Sequence, residues 1–131
     1  MKQIKFNIPL YDFDVTLIQV EDNKKDEKGV LKLMQRIKPT NAQINEVLDT
    51  MKNDCKNGGF TYRNFDLKSF LVVFFVMGSV WNRENIYEHE KRHIEDRILE
   101  WASVDDNEAA AFLAGYIGEH FYKFRLLCQN K

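Results

Sequence analysis

The sequence predicts an α/β domain: a small twisted mixed sheet with a crossover helix, a long charged helix and a C-terminal helix. Three observations predict this class. Apolar residues alternate along the first 17 positions, an uninterrupted apolar run covers residues 70–78, and capped helical stripes follow residues 39 and 79. The 131 residues suit a single domain, 1–131, and contain no internal repeat or linker.

The N-terminal segment predicts strand structure with one interruption. Its apolar residues occupy even positions from Ile4 to Leu10 and odd positions from Tyr11 to Leu17. A change of parity just after Pro9 implies a bulge, a bend or two short strands, because one continuous strand keeps its apolar residues on one face. Residues 22–29 are charged and turn-like. Residues 30–37 fit a helix nearly as well as a strand, and the pattern leaves both open.

The middle of the chain predicts the crossover helix. Pro39 and Thr40, with Gln43 three residues after the threonine, form a helix start with a capping box. An apolar stripe then runs from Ile44 to Cys55, and we expect the glycines at 58 and 59 to end the helix. A short strand at 60–62 and a turn at 64–68 should follow. The β-branched and aromatic run at 70–78 predicts a strand buried on both faces.

Two helices should complete the chain. The first begins between Ser79 and Arg83 and runs to about Trp101. Ser103, with Asp106 three residues later, predicts the cap of the next helix, which should extend from Asp106 to Cys128.

Composition excludes several classes of protein. The 44% hydrophobic and 13% aromatic content exclude a disordered chain, and a net charge of −1 gives no basis for binding nucleic acid or an anionic membrane. The nine-residue apolar run is shorter than the roughly 20 residues that cross a bilayer. Cys55 and Cys128 stand far apart, and the N-terminus lacks the pattern of a secretory segment. We therefore expect reduced thiols and a cytoplasmic protein.

The most informative motif is His-Glu-Lys-Arg-His at residues 89–93. On a helix, His89 and His93 lie about 40° apart around the axis, so both imidazoles can reach one metal ion. Glu90 lies about 100° from His89, where it can act on a metal-bound water as general base. The alternative is a chance occurrence of the motif on a charged helix.

Catalytic zinc usually has three protein ligands, so a third is expected downstream. Glu108 follows His93 by fifteen residues, near the start of the last helix. It shares a helical face with the small residues Ala111 and Gly115, where two helix backbones could approach closely. The alternative is a first-turn glutamate that complements the helix dipole.

The chain has an apolar strand, then H-E-x-x-H on a helix, then a second helix that opens with Asn107-Glu108. In this order of elements it resembles the minimal gluzincins, the shortest domains related to zinc peptidases. The segment Asn107–Tyr116 is similar to small zincin-like proteins of bacteriophages and mobile elements. This resemblance covers residues 66–124. It implies a zincin-like fold, Zn²⁺ held by His89, His93 and Glu108, and Glu90 as general base. Those relatives often carry an acidic residue where this chain has Asn107.

The predicted function is therefore that of a zinc metallopeptidase acting on a peptide or protein substrate. The alternative is a zinc-binding domain without peptidase activity of its own, which serves as an interaction protein of phage or mobile-element origin. A third possibility is a metal-free interaction protein. Tyr116, His120 and Glu119 are further candidates, either for stabilising a transition state or for supporting the ligands. Their alternatives are a core tyrosine and ordinary surface side chains. The resemblance also implies that an edge strand, not identifiable from sequence, pairs with the substrate.

Overall fold

The computed structural model describes residues 1–54, 58–76 and 80–129. It confirms the predicted fold class, a mixed sheet with helices. The strands are β1 (Lys2–Ile8), β2 (Phe13–Gln19), β3 (Gly59–Asn64) and β4 (Ser69–Phe74), and the helices are α1 (Glu27–Gln35), α2 (Asn41–Lys52), α3 (Val80–Ala102) and α4 (Asn107–Gln129).

The sheet has the order β1-β2-β4-β3. The outer pairs β1/β2 and β3/β4 are antiparallel, whereas the central strands β2 and β4 are parallel. The chain joins β2 to β4 through α1, α2 and β3, so the predicted crossover contains two helices. β1 and β3 are the two edge strands. α3 contacts β3 and α4 contacts β1, so the two helices cover opposite halves of the sheet.

Two apolar cores lie on opposite faces of the sheet. Phe13, Val72 and Phe74 pack beneath α3 and α4, together with Ile94 of α3 and Ile117 of α4. On the other face, Ile18 and Val73 pack against Val30 and Met34 of α1 and Val47 of α2. Alternate residues of β2 and β4 therefore enter different cores, as the period of two in a strand requires.

The structure resolves the ambiguous segments. Two short strands, separated at residues 9–12, account for the change of parity after Pro9, and the segment at 30–37 belongs mainly to helix α1. The Thr40–Gln43 capping box is present in both directions. Two predicted boundaries and one predicted cap were wrong. α2 ends at Lys52, before the glycines; β4 ends at Phe74; and Asp106, whose carboxylate accepts from the Glu108 N–H at 2.9 Å, takes the capping role predicted for Ser103.

A buried glutamine ties α3 to the parallel strands. The Gln19 amide donates to the carbonyls of Val20 and Phe75 at 3.1 Å each, just beyond the ends of β2 and β4. Tyr87 of α3 donates its hydroxyl to the Gln19 side-chain oxygen at 3.2 Å. This network fixes α3 just before the histidine motif. Among the described residues, no helix has the length and apolar content required to cross a membrane.

Candidate metal centre

The two motif histidines converge at the surface of α3. Tyr87, Ile94 and Ile98 anchor the inner side of the helix in the core. Four residues make slightly more than one turn, so His89 and His93 project together from the side towards β3. Their Nε2 atoms lie 3.1 Å apart, and their ring planes are nearly perpendicular, at 87°. At this distance the two rings share a hydrogen bond, and the separation is also close to the roughly 3.3 Å between two nitrogens on a tetrahedral zinc ion.

Glu90 lies below the histidines, between α3 and the sheet. Its side chain is 4% exposed, and the Thr61 hydroxyl of β3 donates to its Oε2 atom at 2.8 Å. The ligand atoms of Glu90 and the two histidines all lie within 4.8 Å of one another. Among the described residues, these three form the group of histidine, cysteine and acidic side chains that could hold a metal ion.

A second buried glutamate on α3 shows what is unusual about Glu90. Glu95 is 6% exposed, and Lys91 neutralises it with an ammonium nitrogen at 2.9 Å. None of the ion pairs between described residues includes Glu90. Burying a carboxylate without a positive partner is costly. A divalent cation held by the adjacent imidazoles would supply the missing positive charge, so these residues fit a metal ion.

Gly59 makes this close packing possible. A Cβ atom at residue 59 would lie 3.1 Å from the Cγ of Glu90 and 3.3 Å from a methyl group of Ile86. Both distances are shorter than ordinary van der Waals contact. The missing side chain therefore lets α3 lie directly on β3 and brings Glu90 to Thr61.

The site opens into a groove of about 310 Å³ between α3 and β3. Its walls carry His89, His93 and Arg97 from the helix and Thr61 and Arg63 from the strand. β3 is thus the edge strand next to the motif.

The outward backbone groups of β3 follow from its register. The Phe75 N–H donates to the Gly58 carbonyl, which makes 58 and 75 a hydrogen-bonded antiparallel pair. Hydrogen-bonded and non-hydrogen-bonded pairs alternate along such a ladder. Gly59, Thr61 and Arg63 therefore direct their N–H and C=O groups away from β4. In the described part of the chain, no further strand covers this edge.

Glu108, the predicted third ligand, is not brought to the histidines. The two helices run antiparallel and meet at the turn around residues 103–106, and a Cβ at Gly118 would lie 3.2 Å from the Cε atom of Lys91. Glu108 precedes Gly118 by ten residues, or about 15 Å of helix, whereas His93 is two residues from Lys91, or about 3 Å. Both distances run towards that turn, so Glu108 lies nearer the turn than His93, and its carboxylate does not belong to the group of ligand atoms within 4.8 Å of one another.

The small residues expected to bring Glu108 close do not contact α3. Glu108, Ala111 and Gly115 are all exposed, and a Cβ at Gly115 would meet no atom within 4 Å. At Gly118, by contrast, the Lys91 side chain of α3 lies close to the helix.

The remaining candidates lie at the opposite edge of the sheet. Tyr116 donates its hydroxyl to the Asn7 carbonyl of β1 at 2.9 Å, and the His120 ring stacks on Phe6 with centroids 4.1 Å apart. Burial lowers the pKa of His120, and the nearby Lys123 ammonium lowers it further. Glu119 is exposed and pairs with Lys123 at 3.3 Å. None of the three lines the groove beside His89.

Sequence reasoning missed the residues that β3 contributes. Thr61 and Arg63 alternate with Phe60 and Tyr62, and the period of two could have placed the first pair on one face. The alternation of residues 60–63 did not indicate that the face of β3 with Thr61 and Arg63 lies beneath α3.

A larger depression of about 1000 Å³ lies beside α1 and α2, on the other face of the sheet. Its lining includes Asp49 and Asp54, and the Asn23 amide donates to Asp54 at 2.7 Å. Among the described residues, its carboxylates do not converge into a group that could hold a metal ion. The candidate metal-binding group therefore lies on the α3–β3 side.

No protein-family model, curated protein or solved structure matches this chain.

Proposed function

We propose that this chain is a zinc-dependent hydrolase of peptide bonds, with His89 and His93 as metal ligands and Glu90 as general base. The observation that carries the proposal is the buried Glu90 carboxylate, which has no ion-pair partner among the described residues and lies within 4.8 Å of two converging imidazoles.

Imidazole nitrogens are common zinc ligands, and bound zinc polarises a carbonyl and lowers the pKa of a water ligand to about 7. Glu90 would act as the base that accepts a proton from the attacking water and returns it to the leaving amine. The Thr61 hydroxyl holds the carboxylate at Oε2, so Glu90 has a fixed orientation for this transfer.

The open edge of β3 supports a peptide substrate. An extended peptide can add to a sheet edge through backbone hydrogen bonds. The outward N–H and C=O groups of Gly59, Thr61 and Arg63 would bind it beside the histidine pair. The backbone of the substrate would then lie along the groove, with one peptide bond next to Glu90.

One observation favours the alternative, a zinc-binding domain without peptidase activity of its own. Catalytic zinc sites usually have three protein ligands, and in the described ranges 1–54, 58–76 and 80–129 only Glu90 joins the two histidines. If Glu90 is a ligand, it is not free to act as a base.

Matched variants separate these roles. Elemental analysis of protein purified without added metal should give about one zinc per chain for the parent and none for the double variant His89→Ala/His93→Ala. Retention of a full equivalent by the double variant would end the assignment. Removing zinc with a chelator should also lower the melting temperature of the parent, because metal binding stabilises the folded state.

Glu90→Gln should keep its zinc and lose peptide hydrolysis by a factor of about 100 to 10000. Glu95→Gln is the control, since it changes an equally buried glutamate on the same helix that is paired with Lys91. A large loss of zinc from Glu90→Gln alone would make Glu90 a ligand and favour the alternative.

A further inference from the structure

The groove has a charge asymmetry along its length. At one end, beside His89, the walls are formed by Gly58, Gly59, Asn85 and Ile86, with Glu90 beneath them. At the other end, beyond His93, the groove is lined by Arg63 and Arg97, and Glu46, which accepts a hydrogen bond from Tyr62, also lines it. The end beyond His93 therefore carries two guanidinium groups that the end beside His89 lacks.

Both guanidinium groups have N–H donors with which they can bind a further anion. Arg63 is exposed, and its guanidinium lies 5.2 Å from the ring centroid of Phe65; among the described residues it takes part in no ion pair. Arg97 contacts Glu100 at 3.0 Å, but the Glu100 side chain is 70% exposed. Such exposed pairs are weak, and a guanidinium has five N–H donors.

The register of β3 determines which substrate residue meets the arginines. Gly59 and Thr61 face α3, so Arg63 faces α3 as well. A peptide residue paired directly with Arg63 would place its side chain on that same face, within reach of Arg97. A peptide residue one position away would point to the other face, where Glu46 accepts a hydrogen bond from Tyr62 at 2.8 Å.

We infer that the groove selects peptides with an acidic side chain at the position opposite Arg63, where Arg63 and Arg97 bind it. This inference rests on the proposed function for the use of the groove by a substrate. Antiparallel pairing is slightly more stable than parallel pairing. In that direction the acidic residue precedes the residue opposite Thr61, and hence the scissile bond, by roughly two positions.

Binding to the zinc-loaded Glu90→Gln protein tests the inference without cleavage. The probes are fluorescent ten-residue peptides of one composition, with a single glutamate at each successive position of a neutral extended sequence. Fluorescence anisotropy should show roughly tenfold tighter binding for one register than for the register shifted by one residue. This preference should weaken in 0.5 M salt, which screens exposed charges.

The double variant Arg63→Glu/Arg97→Glu in the same background should reverse the preference towards a lysine-containing peptide. Arg92→Glu is the matched control, because Arg92 is an exposed arginine of α3 that pairs with Asp96 and does not line the groove. It should bind the peptides as the parent does, and all variants should melt as the parent does.

Equal binding of all registers, no binding of any peptide, or a preference that survives in the double variant would overturn the inference. Its failure is distinct from failure of the proposed function. A parent that holds no zinc but binds the acidic peptide through Arg63 and Arg97 would refute the hydrolase and keep the peptide groove. A zinc-dependent peptidase without a charge preference would do the reverse.

Discussion

The hydrogen bond between Thr61 and Glu90 should be a major source of stability at the site. Thr61→Val keeps the shape of the side chain and removes the hydroxyl that donates to the buried carboxylate. A hydrogen bond to a charged group contributes about 1.5–3 kcal/mol. With an unfolding entropy of about 2.1 cal/mol/K per residue over 131 residues, that loss lowers the melting temperature by roughly 5–11 °C.

Differential scanning calorimetry in the presence of a chelator measures this change without a contribution from metal binding. Thr16→Val is the matched control, because Thr16 is a partly buried threonine of β2 whose hydroxyl makes no hydrogen bond with a described residue. Its melting temperature should change by less than about 2 °C. If Thr61→Val melts within that same range, the hydroxyl does not stabilise Glu90 and the geometry argued for the site is wrong.

Two further outcomes follow from the placement of α4. Glu108→Gln and Glu119→Gln should both bind zinc as the parent does in a competition titration, because both glutamates are exposed and neither lines the groove or belongs to the group around the histidines. A clear loss for Glu108→Gln alone would restore Glu108 as the third ligand. Gly115→Ala should raise the free energy of unfolding by about 0.5–1 kcal/mol in urea, because the added methyl group meets no atom and alanine favours the helix. A loss of stability there would show that another surface covers this face.

The strands and helices were largely predictable because their signals are local. Alternation located β1 and β2, and the capping box located the start of α2. The length of the apolar stripe at 30–37 did not distinguish a helix from a strand, since eight residues satisfy both periods. The predicted end of α2 at the glycines was wrong for a different reason. Glycine commonly follows the end of a helix, but Gly59 belongs to β3, where its small size allows the close packing of Glu90.

The site was predictable only where it depends on one helix. A spacing of four brings His89 and His93 together whatever surrounds them. The third ligand required a relation between two helices, and periodicity gives the face of a helix without giving its neighbour. The face of α4 that carries Glu108 and Gly115 is turned to solvent, whereas Gly118 lies near the Lys91 side chain of α3.

The exposed edges of the sheet also bear on how the protein avoids aggregation. An uncovered strand edge can pair with the same edge of another molecule, and natural proteins discourage this with charged side chains. β1 carries Lys2 and Lys5, and β3 carries Arg63. A charged side chain on a short edge strand discourages such pairing, and Arg63 supplies one on β3. The arginine that we assign to peptide selection would therefore also keep the molecules from joining into a continuous sheet.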